Sequence, residues 1–220
     1  MARLPKDLRP THYALQVSLD LDQLTFQGCV SIHLDVLHNT TSVVLHSKDL
    51  EITSTKIEDL SGKTTEIPAV SSDPEQQTIT IPLGEALKSG AKIVLHLWFH
   101  GTIMEYGRTP GFQWTSYRTP SGDEKRAFST SCEPIGARCI FPCFDEPEFK
   151  ATISSTVVIN QDLTCISNMD IASSDITAAA SGILASKRIH FTPLHPCRHI
   201  SSVLSLATLT TSNRANFGSQ

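Results

Sequence analysis

The feature that most constrains this chain is a strict alternation of apolar and polar residues near its start. Tyr13, Leu15, Val17, Leu19 and Leu21 share one parity, with His12, Ala14, Gln16, Ser18 and Asp20 on the other. Phe26, Val30, Ile32, Leu34 and Val36 repeat the pattern against Gln27, Cys29, Ser31, His33 and Asp35. A period of two sends successive side chains to opposite faces of a strand, so each segment turns one face to a core and one to water. Burying five such side chains contributes about 7–15 kcal/mol before conformational entropy is subtracted. A one-residue slip would turn all five outward, so the register is strongly specified.

Further strands are expected over 42–45, 78–83, 92–99, 150–160 and 188–192, and a short helical turn over 84–88. The run 93–99 is apolar on nearly both faces, which predicts a central strand. Turn signals separate these runs: Ser61-Gly62, Asp73-Pro74, Ser89-Gly90 and Pro120-Ser121-Gly122. Short strands punctuated in this way predict an all-β antiparallel domain, either sandwich-like or a curved, saddle-shaped sheet. No internal repeat or low-complexity linker interrupts it.

The span 129–150 breaks the alternation. Three X-Pro steps, Glu133-Pro134, Phe141-Pro142 and Glu146-Pro147, disfavour helix and central strand alike. A structured loop of this length inside a compact domain is usually functional or an interface. Exposed Phe141 and Phe144 would form an apolar patch there, suited to an interface.

Composition narrows the partners. With 40% hydrophobic and 18% charged residues, the 220-residue chain can build an ordinary globular core. The net charge is −4 and the sequence pI about 6.1, with no Lys/Arg stripe, which argues against nucleic acid and acidic membranes as partners. No apolar run resembles a signal peptide or is long enough to span a bilayer. The six cysteines (29, 132, 139, 143, 165 and 197) are irregularly spaced and read as reduced thiols, so a cytoplasmic setting is expected. Cys139 with Cys143, and His195 with His199, have spacings that could serve a metal. The first pair lacks partners, and Pro196 lies inside the second with no catalytic Glu beside it, so no metal is assigned to either.

The run Phe-Pro-Cys-Phe-Asp-Glu-Pro at 141–147, followed by Phe149-Lys150-Ala151-Thr152, is more specific. It resembles A-R-R-A-F-P-C-F-D-E-P-x-x-K-A-T-F of the zinc aminopeptidases that include the puromycin-sensitive, alanyl and leucyl enzymes. Arg3-Leu4-Pro5, Pro10-Thr11-His12-Tyr13, Phe26-Gln27-Gly28, Leu45-His46 and Ser167-Asn168-Met169 follow in that family's order, and the agreement runs from about Arg3 to Pro193. The resemblance implies a saddle-shaped N-terminal β domain over 1–194 that packs on a separate zinc-bearing catalytic domain. The family's H-E-x-x-H and G-A-M-E-N are missing from the sequence. Zinc is therefore expected in the full-length enzyme and not on this chain, which reads as a truncated form, inactive by itself. Its implied partners are a missing catalytic half and, only together with that half, peptide N-termini.

The family's T-Q-F-E-P loop lines the substrate site, its Gln beside the first side chain and its Glu on the free ammonium. This chain reads Thr130-Ser131-Cys132-Glu133-Pro134. The resemblance thus makes Glu133 the amine anchor and Ser131 the residue in the Gln position. Asp145, Glu146 and Glu148 are implied to build a structural turn, balanced by Arg138 and Lys150. Cys139 and Ile140 depart from the family's Arg-Ala, and Gln113-Trp114 from its Tyr-Arg. A different kind of reading is a free-standing binding module that kept the fold. A complete small hydrolase is disfavoured, since no nucleophile elbow or triad signature occurs.

The remaining stretch, 195–220, reads as a divergent tail, frame-shifted or disordered. After Thr192-Pro193 the family continues with a strand of the type S-T-Y-L-V-A-F-V-V-G-D-F-E-Y-I-E. Joining the third base of each codon from Cys197 onward to the first two of the next permits Ser-Thr-Tyr-Leu-Val-Gly-Phe-Val-Val-Gly-Asp-Leu-Asn-Tyr-Ile-Glu, in the family's spacing. A frameshift, a missed intron or a misread exon would each produce this.

Overall fold

The computed structural model describes residues 3–177, 186–193 and 207–210. These form sixteen strands and one short 3-10 turn. In chain order the strands are β1 (Leu8–Asp20), β2 (Thr25–Val36), β3 (Thr40–His46), β4 (Glu51–Asp59), β5 (Thr64–Glu66) and β6 (Ser71–Asp73). Next come β7 (Thr78–Leu87), β8 (Lys92–Thr102), β9 (Met104–Glu105), β10 (Gly111–Arg118) and β11 (Glu124–Ser131). After the 3-10 turn Ala137–Cys139 follow β12 (Thr152–Asn160), β13 (Leu163–Ile166), β14 (Ile171–Thr177), β15 (Ser186–Phe191) and β16 (Ala207–Thr210).

Three sheets result. The largest has eight strands in the order β14-β15-β12-β1-β2-β8-β4-β5; a second runs β13-β16-β11-β10-β9 and a third β3-β7-β6. The alternation in β1 and β2 does what the sequence predicts. Tyr13 lies opposite Ile32 and Leu15 opposite Val30, all at most 2% exposed. β8 sits inside the sheet between β2 and β4, in keeping with its double-sided apolar run. Gly28 faces the ring of Phe99 so closely that a Cβ there would stand 2.7 Å from Phe99 Cζ, so this ladder position admits only glycine without a shift.

The second sheet closes one side of the core, with Phe112 on Phe26 at 4.7 Å between ring centroids. The third adds Val43, Leu45, Ile79 and Ile81, all buried.

Several expectations need correction. Residues 84–87 are strand, not helix: β7 runs on through Leu87 beside β3, with an irregularity where Ser42 pairs Pro82 and Thr40 pairs Leu87. Five residues cannot support a helical nucleus without packing, and an available strand partner prevails. The domain is also not wholly antiparallel, because β1 pairs β12 and β10 pairs β9 in parallel. Phe141 and Phe144 form no exposed patch. They are 0% and 1% exposed, packed on Tyr13 and Phe149 respectively. Strands β4, β10 and β11 were not anticipated, because their Ser, Thr and charged residues blur the period-two signal. Most of the 195–220 tail lies outside the described residues, but the backbone of Ala207–Thr210 pairs with both β11 and β13.

Candidate functional site

β11 delivers Ser131 to the end of a ladder, paired with Gly111 across β10. The chain then turns through Cys132, which is buried, and the exposed pair Glu133-Pro134, joined by a cis peptide bond. It re-enters the protein at Gly136, whose amide donates to the Cys132 carbonyl at 2.6 Å. A Cβ on Gly136 would stand 2.5 Å from the Ser131 oxygen and 2.7 Å from Pro110 Cβ, so the return is held by close backbone approach.

The 3-10 turn that follows carries Arg138, 1% exposed. Its Nε donates to Asp145 Oδ2 at 2.9 Å, one terminal nitrogen to the Asp145 carbonyl at 3.2 Å, and the other to Gln77 Oε1 at 3.3 Å. The Arg138 carbonyl accepts the Lys48 amide at 2.9 Å. His46 and Cys143 exchange backbone hydrogen bonds, and the Asp145 amide donates to His46 Nδ1 at 3.3 Å. Arg138 thus ties the segment after Glu133 to the Asp-Glu-Pro turn and, through its guanidinium and its carbonyl, to the turns that carry Gln77 and Lys48.

The carboxylates divide by role. Asp145 is fully buried against Arg138, and its Oδ1 has no hydrogen-bond partner among the described residues. Glu146 accepts the Leu4 amide at 2.7 Å, and Glu148 pairs with Lys6 at 2.6 Å. The turn is structural, as the resemblance implied, but Lys6 rather than Lys150 balances it. His46 and Gln77 went unnoticed as members of this network; only the Leu45-His46 match hinted at the former.

The thiols here are quiet. Burial raises the Cys132 thiol to about 12 and Cys139 to about 11, and Cys143 lies well above the usual thiol range. Few thiolates form there at neutral pH, which argues against a nucleophile. Among the described residues no three of His, Cys, Asp and Glu stand together in a way that would hold a metal ion. The donors among the described residues do not fit a catalytic zinc, and His195 and His199 lie outside those residues. A cleft of about 990 Å³ lies between β10, β11 and the β1–β2 turn, lined by Trp114, Tyr106 and Phe128. Neither Ser131 nor Glu133 lines it. The Glu133 turn therefore presents an exposed carboxylate on a base packed into the fold, an anionic group able to accept a cation. No helix among the described residues is long and apolar enough to cross a membrane.

Comparison with known proteins identifies the family. Residues 9–187 match the model of the peptidase M1 N-terminal domain. Aminopeptidase M1 of Arabidopsis thaliana is 36% identical over 77% of this chain and 19% of its own length. Endoplasmic reticulum aminopeptidase 1 of Homo sapiens is 33% identical over 83% of the chain and 19% of its own length. The puromycin-sensitive aminopeptidase of Caenorhabditis elegans is 34% identical over 80% and 18%. The chain spans about a fifth of the length of these curated relatives. With a buried Arg138–Asp145 clamp under an exposed Glu133 loop, and a family match over most of its residues, the chain belongs to the peptidase M1 family as an N-terminal domain.

Proposed function

We propose that this chain is the substrate-side domain of a zinc-dependent aminopeptidase that removes N-terminal residues from peptides, and that it has no peptidase activity by itself. The observation that carries the reading is the placement of Glu133: exposed, and braced through Gly136 and Arg138 against the domain core. A desolvated ammonium needs an anionic acceptor held in advance, and a carboxylate on a braced loop meets that need. Zinc and the general base would come from a catalytic domain docked against this face, and the cytoplasm suits five thiols that form no disulfide. Ser131 takes the position that faces the first side chain of the peptide.

The test has two arms. The purified chain should not hydrolyse aminoacyl-naphthylamides; clear hydrolysis abolished by a chelator would overturn the reading. When the chain replaces the matching segment of the C. elegans relative, Glu133→Ala should lower kcat/KM for free-amine peptides about 10- to 150-fold. That is the loss of one charged contact at about 1.5–3 kcal/mol. An unchanged rate would reduce Glu133 to an ordinary loop carboxylate.

A further inference from the structure

Three side chains that are far apart in sequence meet on the outer face of the eight-stranded sheet. Ser31 on β2 lies directly across from His96 on β8, and Ser31 Oγ is 2.8 Å from His96 Nδ1. His96 Nε2 is 3.3 Å from Glu58 Oε2 on β4, the next strand over. A carboxylate can only accept, so His96 carries its hydrogen on Nε2 and keeps the Nδ1 lone pair for the serine hydroxyl. From these contacts we infer that Ser31, His96 and Glu58 form a hydroxyl–imidazole–carboxylate relay capable of acyl transfer, a second reactive site separate from the Glu133 loop.

Hydrogen bonds across a sheet face often do no more than satisfy half-buried polar atoms. The surroundings of this one go further. Ala14 is the β1 residue opposite Ser31, so the row beside the hydroxyl holds only a methyl group and leaves room for an acyl carbonyl. Lys56 faces His96 from β4, on the side away from Ser31, with its ammonium 5.8 Å from the Trp98 ring centroid. Trp98 is 38% exposed one step along β8 and offers a flat apolar platform for an aryl group. The imidazole itself is accessible, with its side chain 22% exposed. The nearest analogue on this face, Thr156 with His190 and Asp175, is looser, since its carboxylate stands 4.0 Å from the ring nitrogen. The backbone amides of β2 and β8 are spent on the ladder and supply no oxyanion donor beside Ser31. The substrate class is therefore a small activated ester rather than an amide.

The step balances. Ser31 Oγ bonds to the ester carbonyl carbon while its proton passes to His96 Nδ1, and Glu58 holds the resulting imidazolium by its Nε2–H. The carbonyl re-forms, the C–O bond to the leaving group breaks, and that oxygen takes the proton from Nδ1. Water then attacks the acyl-serine with His96 as base, releasing the acid and restoring the hydroxyl.

The experiment uses the 220-residue chain with an aryl fluorophosphonate, which should phosphonylate Ser31 with loss of fluoride, and with p-nitrophenyl acetate as substrate. Peptide mapping should place the adduct on Ser31. Ser31→Ala and His96→Gln should lower ester hydrolysis about 100-fold or to the level of buffer. Glu58→Gln should lower it less, and His33→Gln, an exposed imidazole on the same face, should leave it unchanged. Chelators should have no effect, which separates this activity from any metallopeptidase. An adduct elsewhere, or labelling of His96→Gln at the wild-type rate, would overturn the proposal. All four positions lie on the solvent side of the sheet, and unchanged melting temperatures should confirm that the variants fold.

Discussion

The loop from Ser131 to Phe149 buries most of its reactive side chains, whereas the outer face of the eight-stranded sheet leaves its own within reach of water. In the loop, Arg138 and Asp145 are nearly inaccessible, and burial pushes three thiols far above their usual range. On the sheet face, His33, Trp98 and His100 are exposed and His12 and His96 half-buried. There desolvation moves a histidine the other way: burial and the neighbouring His33 lower the His12 ring from its usual value. The difference teaches that a recognisable motif can be scaffolding while the accessible chemistry lies where no motif is written. Of the loop's exposed carboxylates, Glu148 is taken up by Lys6, which leaves Glu133 as that region's candidate ligand.

The comparison breaks most easily at Arg138. Arg138→Met leaves Asp145 charged, buried and unpaired, and should destabilise the chain by about 3–5 kcal/mol in chemical denaturation. Arg138→Met with Asp145→Leu should recover much of that loss, since two apolar groups replace a pair that is not fully hydrogen-bonded. If Arg138→Met costs under 1 kcal/mol, the loop is not scaffolding in the sense argued above.

The thiols sharpen the contrast at intermediate scale. Their folded-state pKa values are raised, so the unfolded chain releases protons first as pH rises. Stability should therefore be intact below the ordinary thiol range and decline as pH climbs above about 8.5 toward the raised values. Under native conditions iodoacetamide should modify Cys29, half-buried on the sheet face, well before Cys132, Cys139 or Cys143. Alkylation at equal rates would show that the loop opens. The smallest effect belongs to His33, where substitution should shift stability by no more than about 0.5 kcal/mol.

Sequence and structure meet unevenly across these regions. β1, β2 and β8 were legible because period two with large apolar side chains leaves one solution for face and register. β10 and β11 were not, since Thr115, Ser116 and Lys125 carry no periodic signal and the strands are defined by each other. The Asp-Glu-Pro turn could be found by resemblance but its wiring could not, because Gln77 and His46 reach it from distant turns. Ser31, Glu58 and His96 were invisible as a group: only the pairing of β2, β8 and β4 makes neighbours of them. The 195–220 tail is a matter for the nucleic acid. We propose that it arose from a shift of frame, and codons from Cys197 onward whose shifted reading does not encode the family strand would end that idea.

The parallel pairing of β1 with β12 has a consequence for how the chain is assembled. His12 and Thr152 are neighbours in the sheet yet 140 residues apart in the chain. β1 and β2 can close as a local hairpin, but the other flank of β1 must wait for a partner made much later. At about 5–20 residues per second of synthesis, that flank is unpaired for roughly 7–28 s. Such long-range closure is slow even in a finished chain. Throughout that interval the nascent protein carries an open strand edge, and Pro10 and the charged Arg9 and Asp20 at its ends are the residues on β1 that discourage a stranger from pairing there.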